Sequence, residues 1–196
     1  MAKIAVRWSG LVQIAGAALL GAALVLLSLA PEMNRRPLPP LVNGLLFLSS
    51  ILLLLSLPAM YASQANAAGW LGLLGHALLQ TGILLLVVVT SPPLVYSSFD
   101  LLFEESLTGF LLGIALTLGL LVTGIVTLRA GVFPRWAGIL LLAATAGFFF
   151  SFFIAEMLPR FAGQVVGAIT GILLGLPLAW IGLSMWTGQR ARPGTT

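Results

Sequence analysis

Cysteine is absent from this chain of 196 residues. That excludes disulfides, thiolate metal sites and cysteine nucleophiles. Charge is scarce as well, at 7% of residues, where a soluble domain carries about 25%. Histidine occurs once, at His76. The usual metal-ligand and triad patterns therefore have no second histidine to draw on. No Walker loop, zincin pair, Gly-x-Ser-x-Gly elbow or Rossmann fingerprint is found in a usable setting. The net charge of +4 is not gathered into a patch of the density that nucleic-acid binding needs.

What the chain has is apolar length. Hydrophobic residues make up 60% of it, and the mean hydropathy is +1.13. Soluble packing cannot bury so much apolar surface, so the expected solvent is a lipid bilayer. Prolines and polar clusters divide the apolar residues into six runs, at about 10–30, 41–61, 68–90, 106–128, 135–157 and 162–187. Each is about 20 residues or slightly more, enough to cross a ~30 Å core at 1.5 Å per residue. The predicted fold class is all-α, a bundle of six transmembrane helices in a single domain, 1–196.

The amino terminus resembles a secretory signal, with Lys3 and Arg7 before an apolar run that ends at Ser28-Leu29-Ala30. The run is longer than a signal core, and Pro31 would follow the scissile bond. A retained first helix is expected. Pro31 to Pro40 holds four prolines and makes a stiff loop. The uncharged stretch 62–67 is expected to be a short link. Ser91 to Glu105 is the longest connection. There Ser97 and Asp100 resemble a capping box, and Phe99, Leu102 and Phe103 suggest a short interfacial helix. Arg129 to Phe133 reads as a tight turn, with Pro134 opening the next span.

Small residues mark the expected helix contacts. Gly163, Gly167, Gly171 and Gly175 repeat every fourth position in the last run. Glycine lets a neighbouring backbone approach closely, and the four-residue step favours a right-handed crossing. Gly109 and Gly113, then Thr117, make a second ridge. Ala18 and Ala22, with Ala17 and Gly21 beside them, make a third. Such ridges can join spans one, four and six, or hold a partner subunit or a second copy. Pro177 interrupts the last span and frees a backbone carbonyl.

The candidate polar site is His76 with Gln80, on one helix face with Gly72. An ionisable group inside a membrane is a candidate relay or ligand. The plainer role is hydrogen bonding between helices, and no carboxylate lies in a span near that depth. Haem would need a second axial ligand that histidine cannot supply here. Glu156 and Arg160, four apart at a span end, read as an interfacial ion pair. Asp100, Glu104 and Glu105 form an acidic loop cluster. Phe148, Phe149, Phe150, Phe152 and Phe153 crowd the fifth run on all sides of a helix, which suits packing and lipid contact. No cofactor, metal or catalytic residue is expected.

With six spans, the termini, the 62–67 link and the 129–134 turn share one side. Lys3, Arg7, Arg129, Arg135, Arg190 and Arg192 lie there, against Arg35, Arg36 and Arg160 opposite. The excess places both termini in the cytoplasm. Trp8, Trp70, Trp136, Trp186 and Tyr61 fall at span ends on the same side, as interfacial anchors do.

The turn Leu128-Arg129-Ala130-Gly131-Val132-Phe133-Pro134-Arg135-Trp136-Ala137-Gly138 resembles small multi-pass bacterial membrane proteins known only as domains of unknown function. So does Leu57-Pro58-Ala59-Met60-Tyr61-Ala62-Ser63-Gln64 leading to Gly69-Trp70-Leu71-Gly72. The resemblance implies a six-helix bacterial inner-membrane protein and brings no catalytic residues. Three functions are open. The first is a non-enzymatic accessory or scaffold subunit packing through its glycine ridges, with a homo-oligomer or membrane-protein partner. The second is a small-solute transport component; substrate-binding subunits of vitamin-type importers are similar in size and have small-xxx-small motifs that Ala18 and Ala22 echo. The third is an intramembrane redox or ligand-binding protein using His76.

Overall fold

The structure is a computed structural model that describes residues 2–29, 40–91, 105–151 and 160–188. These form five helices: α1 (Ala2–Leu29), α2 (Pro40–Thr90), α3 (Glu105–Ala130), α4 (Arg135–Phe149) and α5 (Arg160–Thr187). There is no strand among the described residues. Four of the helices are long and apolar enough to cross a membrane, over Ile4–Ser28, Pro40–Thr90, Leu107–Ala130 and Phe161–Thr187. They fit a multi-pass membrane protein. The fifth, Arg135–Phe149, is shorter.

Six separate spans are therefore not what the described residues display. The expected runs 41–61 and 68–90 belong to one helical stretch, and 62–67 is helix rather than link. The reason is local. Alanines dominate 62–68 and favour helix, and the Ser63 hydroxyl folds back onto the Met60 carbonyl at 2.6 Å. The interruption falls at one residue, Gly69, with φ 57° and ψ −154°. That region is essentially restricted to glycine. α2 thus has two limbs, 40–68 and 70–90. The Asn43 side-chain amide donates to the Thr90 carbonyl at 3.0 Å, so the far ends of the limbs meet. The limbs lie antiparallel, and the chain reverses at Gly69. α1 also begins earlier than expected, at Ala2. Beyond Phe149, α4 passes into a wider π turn at 150–151; the expected remainder of that span, to 157, lies outside the described residues. So do residues 31–39 of the expected Pro31–Pro40 loop, whose last residue, Pro40, opens α2 instead, and the proposed interfacial helix and capping box.

The 131–134 turn has Gly131 at φ 61°. Pro134 sits one residue before α4, and its carbonyl accepts from the Ala137 amide at 2.9 Å. Phe133 is buried and ties the turn to the core.

Successive helices run antiparallel, and backbones approach where side chains are small. α1 packs most extensively against α5. There Gly10 meets Gly182, Gly21 meets Gly171 and Gly175, and Ser28 meets Gly167. α1 also packs on the first limb of α2, with Gly16 against Leu52 and Leu53. The second limb packs on α3: Gly75 meets Val122 and Thr123, Leu79 meets Gly119, and Gly82 meets Leu116. α3 and α4 close through Gly124 and Gly138. α4 meets α5 where Gly147 faces Thr170.

Buried hydroxyls are mostly satisfied within their own helices. Ser49 and Ser50 donate to Leu46, Ser56 to Leu53, Thr145 to Leu141 and Ser184 to Trp180. In hydrocarbon such back-bonding lets a polar residue enter a core without an external partner.

Candidate functional site

The pairings above bring four chain segments to one end of the bundle. These are the start of α1, the Gly69 reversal, the 131–134 turn and the end of α5. Trp8, Trp70, Trp136 and Trp186 are all exposed there. Arg7, Arg129 and Arg135 are exposed beside them in sequence. Indole rings prefer the headgroup boundary, where an apolar body and a polar N–H are both accommodated.

His76 lies on the second limb, seven residues past the reversal. Its imidazole stacks on the Tyr61 ring of the first limb, with centroids 5.0 Å apart and planes 24° from parallel. Gly72, one turn earlier, is buried against Ala68 and lies near Tyr61. The contact therefore zips the two limbs together near the reversal. Gln80 is half-buried one turn further on. Among the described residues, no group of three or more histidine, cysteine, aspartate or glutamate side chains could hold a metal ion.

The glycines of α5 differ along its length. Gly171 and Gly175 are buried, and Gly163 and Gly167 are half-buried. Gly167, Gly171 and Gly175 all face α1. On α1 the contact runs through Ala17 and Gly21, whereas Ala18 and Ala22 are exposed. One position is a 100° turn of the helix, so of two adjacent small-residue stripes only one can face α5. On α3 Gly113 is buried, but Gly109 has no atom of a neighbouring element within 4 Å. Gly119 and Gly124 of α3 make close contacts with the second limb of α2 and with α4. The pair Glu156 and Arg160 and the cluster Asp100, Glu104 and Glu105 have no described side chains.

One polar residue escapes the sequence patterns. Gln13 is fully buried at the junction of α1, α2 and α5. Its amide nitrogen donates to the Leu178 carbonyl at 3.1 Å and to Met60 Sδ at 3.7 Å. A glutamine inside an apolar run is the only sequence signal for it. Gln64, one turn past Met60, is also buried. Comparison with protein families, curated proteins and solved structures returns no match for this chain.

Proposed function

We propose that this is a non-enzymatic accessory or scaffold subunit of the bacterial inner membrane that accepts a partner helix on the outer face of α1. The observation that carries this reading is how the small residues divide. Gly10, Gly21, Gly171, Gly175 and Gly182 are taken up by contacts within the chain. Ala15, Ala18 and Ala22 remain exposed along one side of α1. In lipid, where burial of apolar surface drives nothing, close backbone approach is what holds helices together. The test is the double substitution Ala18→Leu, Ala22→Leu, followed by co-purification from native membranes in mild detergent. Both positions are exposed, so the parent's melting temperature should be retained while the partner is lost. Retention of the same partner by the variant would refute the docking face.

Co-purification of an ATPase module would favour the second reading, a small-solute transport component, which the polar groups buried between α1 and α2 support. Recovery of a coloured or quinone-like ligand would favour a redox role for His76. Its stack on Tyr61 speaks for packing.

The same proposal includes six crossings with both termini in the cytoplasm. Unbroken, α2 would be roughly 75 Å long, more than twice the hydrocarbon thickness. The Gly69 reversal and the Asn43–Thr90 contact support two crossings for its two limbs. The exposed tryptophans and arginines at one end support the orientation. A chain without native cysteine suits labelling. Cysteine at Ser98 should react with an impermeant maleimide in intact cells. Cysteine at Asn66, exposed just before the reversal, or at Thr195 should react only after lysis. Labelling of Asn66→Cys and Ser98→Cys together in intact cells would end the six-crossing arrangement.

A further inference from the structure

The interior between α1 and the first limb of α2 is separate from the outer face of α1, whether or not a partner covers that face. Most buried hydroxyls have a partner one turn away in their own helix. The buried glutamines are different. Gln13 Oε1 and Gln64 Oε1 are buried, and no donor among the described residues reaches either of them. The Gln13 amide cannot simply be turned over. Its nitrogen faces the Leu178 carbonyl and Met60 Sδ, both acceptors, so a flip would set oxygen against oxygen. Oε1 is thereby held away from α5.

Met60 and Gln64 are four residues apart and share a face of the first limb, one turn apart along the helix. Met60 touches the Gln13 amide, so Gln64 follows it on the same side, toward Gly69. By helical spacing the unpartnered Gln64 Oε1 therefore belongs to the same side of the first limb as the Met60–Gln13 contact. The hydroxyls of Thr108, Thr117, Thr123 and Thr127 also have no partner among the described residues, but all four lie on α3, which packs on the second limb. A buried acceptor in hydrocarbon without a donor is costly. A full positive charge would cost more, and no carboxylate among the described buried residues could balance it.

We propose that Gln13 and Gln64 frame a buried site for a neutral hydrogen-bond donor, either water or a small solute bearing hydroxyl or amide groups. Gln13 Oε1 accepts from the occupant while its nitrogen stays fixed on Leu178. Gln64 accepts from the same occupant one turn nearer the membrane surface at the Gly69 end.

The test is water-edited solid-state NMR of the glutamine-labelled full chain in liposomes, with the Gln13 amide assigned through Gln13→Met. Magnetisation should pass from water to the Gln13 amide even though that residue is fully buried. Urea and glycerol are then added as probes. Shifts of the Gln13 and Gln64 amides identify a solute site, whereas persistent water transfer without shifts identifies a water site. Absence of both transfer and shifts overturns the proposal. Gln64→Met, which conserves volume, should abolish or weaken the transfer at Gln13. Unchanged transfer in a folded Gln64→Met protein would overturn the shared site.

Discussion

Replacing Gly171 with leucine is expected to lower the melting temperature in detergent more than leucine at any exposed position. A Cβ at Gly171 would lie 2.9 Å from Leu24 Cβ, 3.1 Å from the Gly21 carbonyl oxygen and 3.1 Å from the Val25 nitrogen. Two of these three neighbours are backbone atoms, which cannot step aside as a side-chain tip can. The rest of the leucine would have to enter the same space. α1 would be displaced along its contact with α5, and overpacking of this kind costs about 1–3 kcal/mol. Gly109→Leu is the matched control. It adds the same side chain to a helical glycine with no atom of a neighbouring element within 4 Å, so its melting temperature should stay near that of the parent. Equal melting temperatures for Gly171→Leu and Gly109→Leu would mean that α1 and α5 do not meet through these glycines.

The contrast between these glycines shows what the sequence can and cannot disclose. A four-residue spacing of small residues is plain in the chain, and Gly167, Gly171 and Gly175 do face α1. Yet Gly109 and the pair Ala18 and Ala22 have the same local appearance and lie open. In a soluble helix the polar side would tell inward from outward. In lipid both sides are apolar. Leu53 is buried and Leu55 exposed on the same limb, and nothing in their chemistry separates them. Helical class, the Gly131 turn and the break before Arg135 were legible because proline and glycine act through the backbone. The 62–67 segment has the look of a link because serine, glutamine and asparagine resemble a loop, while the alanines among them keep the helix going to Gly69. Gln13 was visible as a residue but not as a site. Its meaning comes from Met60 and Leu178, which are 47 and 165 positions away.

The second large effect is expected at Gly69, for a reason unlike that at Gly171. Gly69 is exposed, and a Cβ there would have nothing within 4 Å. By space alone Gly69→Ala is harmless. By backbone it is not, because φ 57° with ψ −154° is a conformation that L side chains adopt only at a cost of about 1–3 kcal/mol. The whole penalty falls on the reversal that lets the two limbs of α2 lie side by side. If Gly69→Ala relieves the strain by continuing the helix, the Tyr61–His76 stack and the Asn43–Thr90 hydrogen bond are both lost. Gly69→Ala should therefore melt below the parent. Gly44→Ala should melt at or above it, since Gly44 is also exposed and uncrowded but lies in regular helix, where alanine is the better residue. Cysteines at Asn43 and Thr90 provide a second readout. They should cross-link in the parent and do so less in the Gly69→Ala background. Unchanged melting together with unchanged cross-linking would show that the limbs are held without the glycine reversal, and that Gly69 is not the hinge between two crossings of α2.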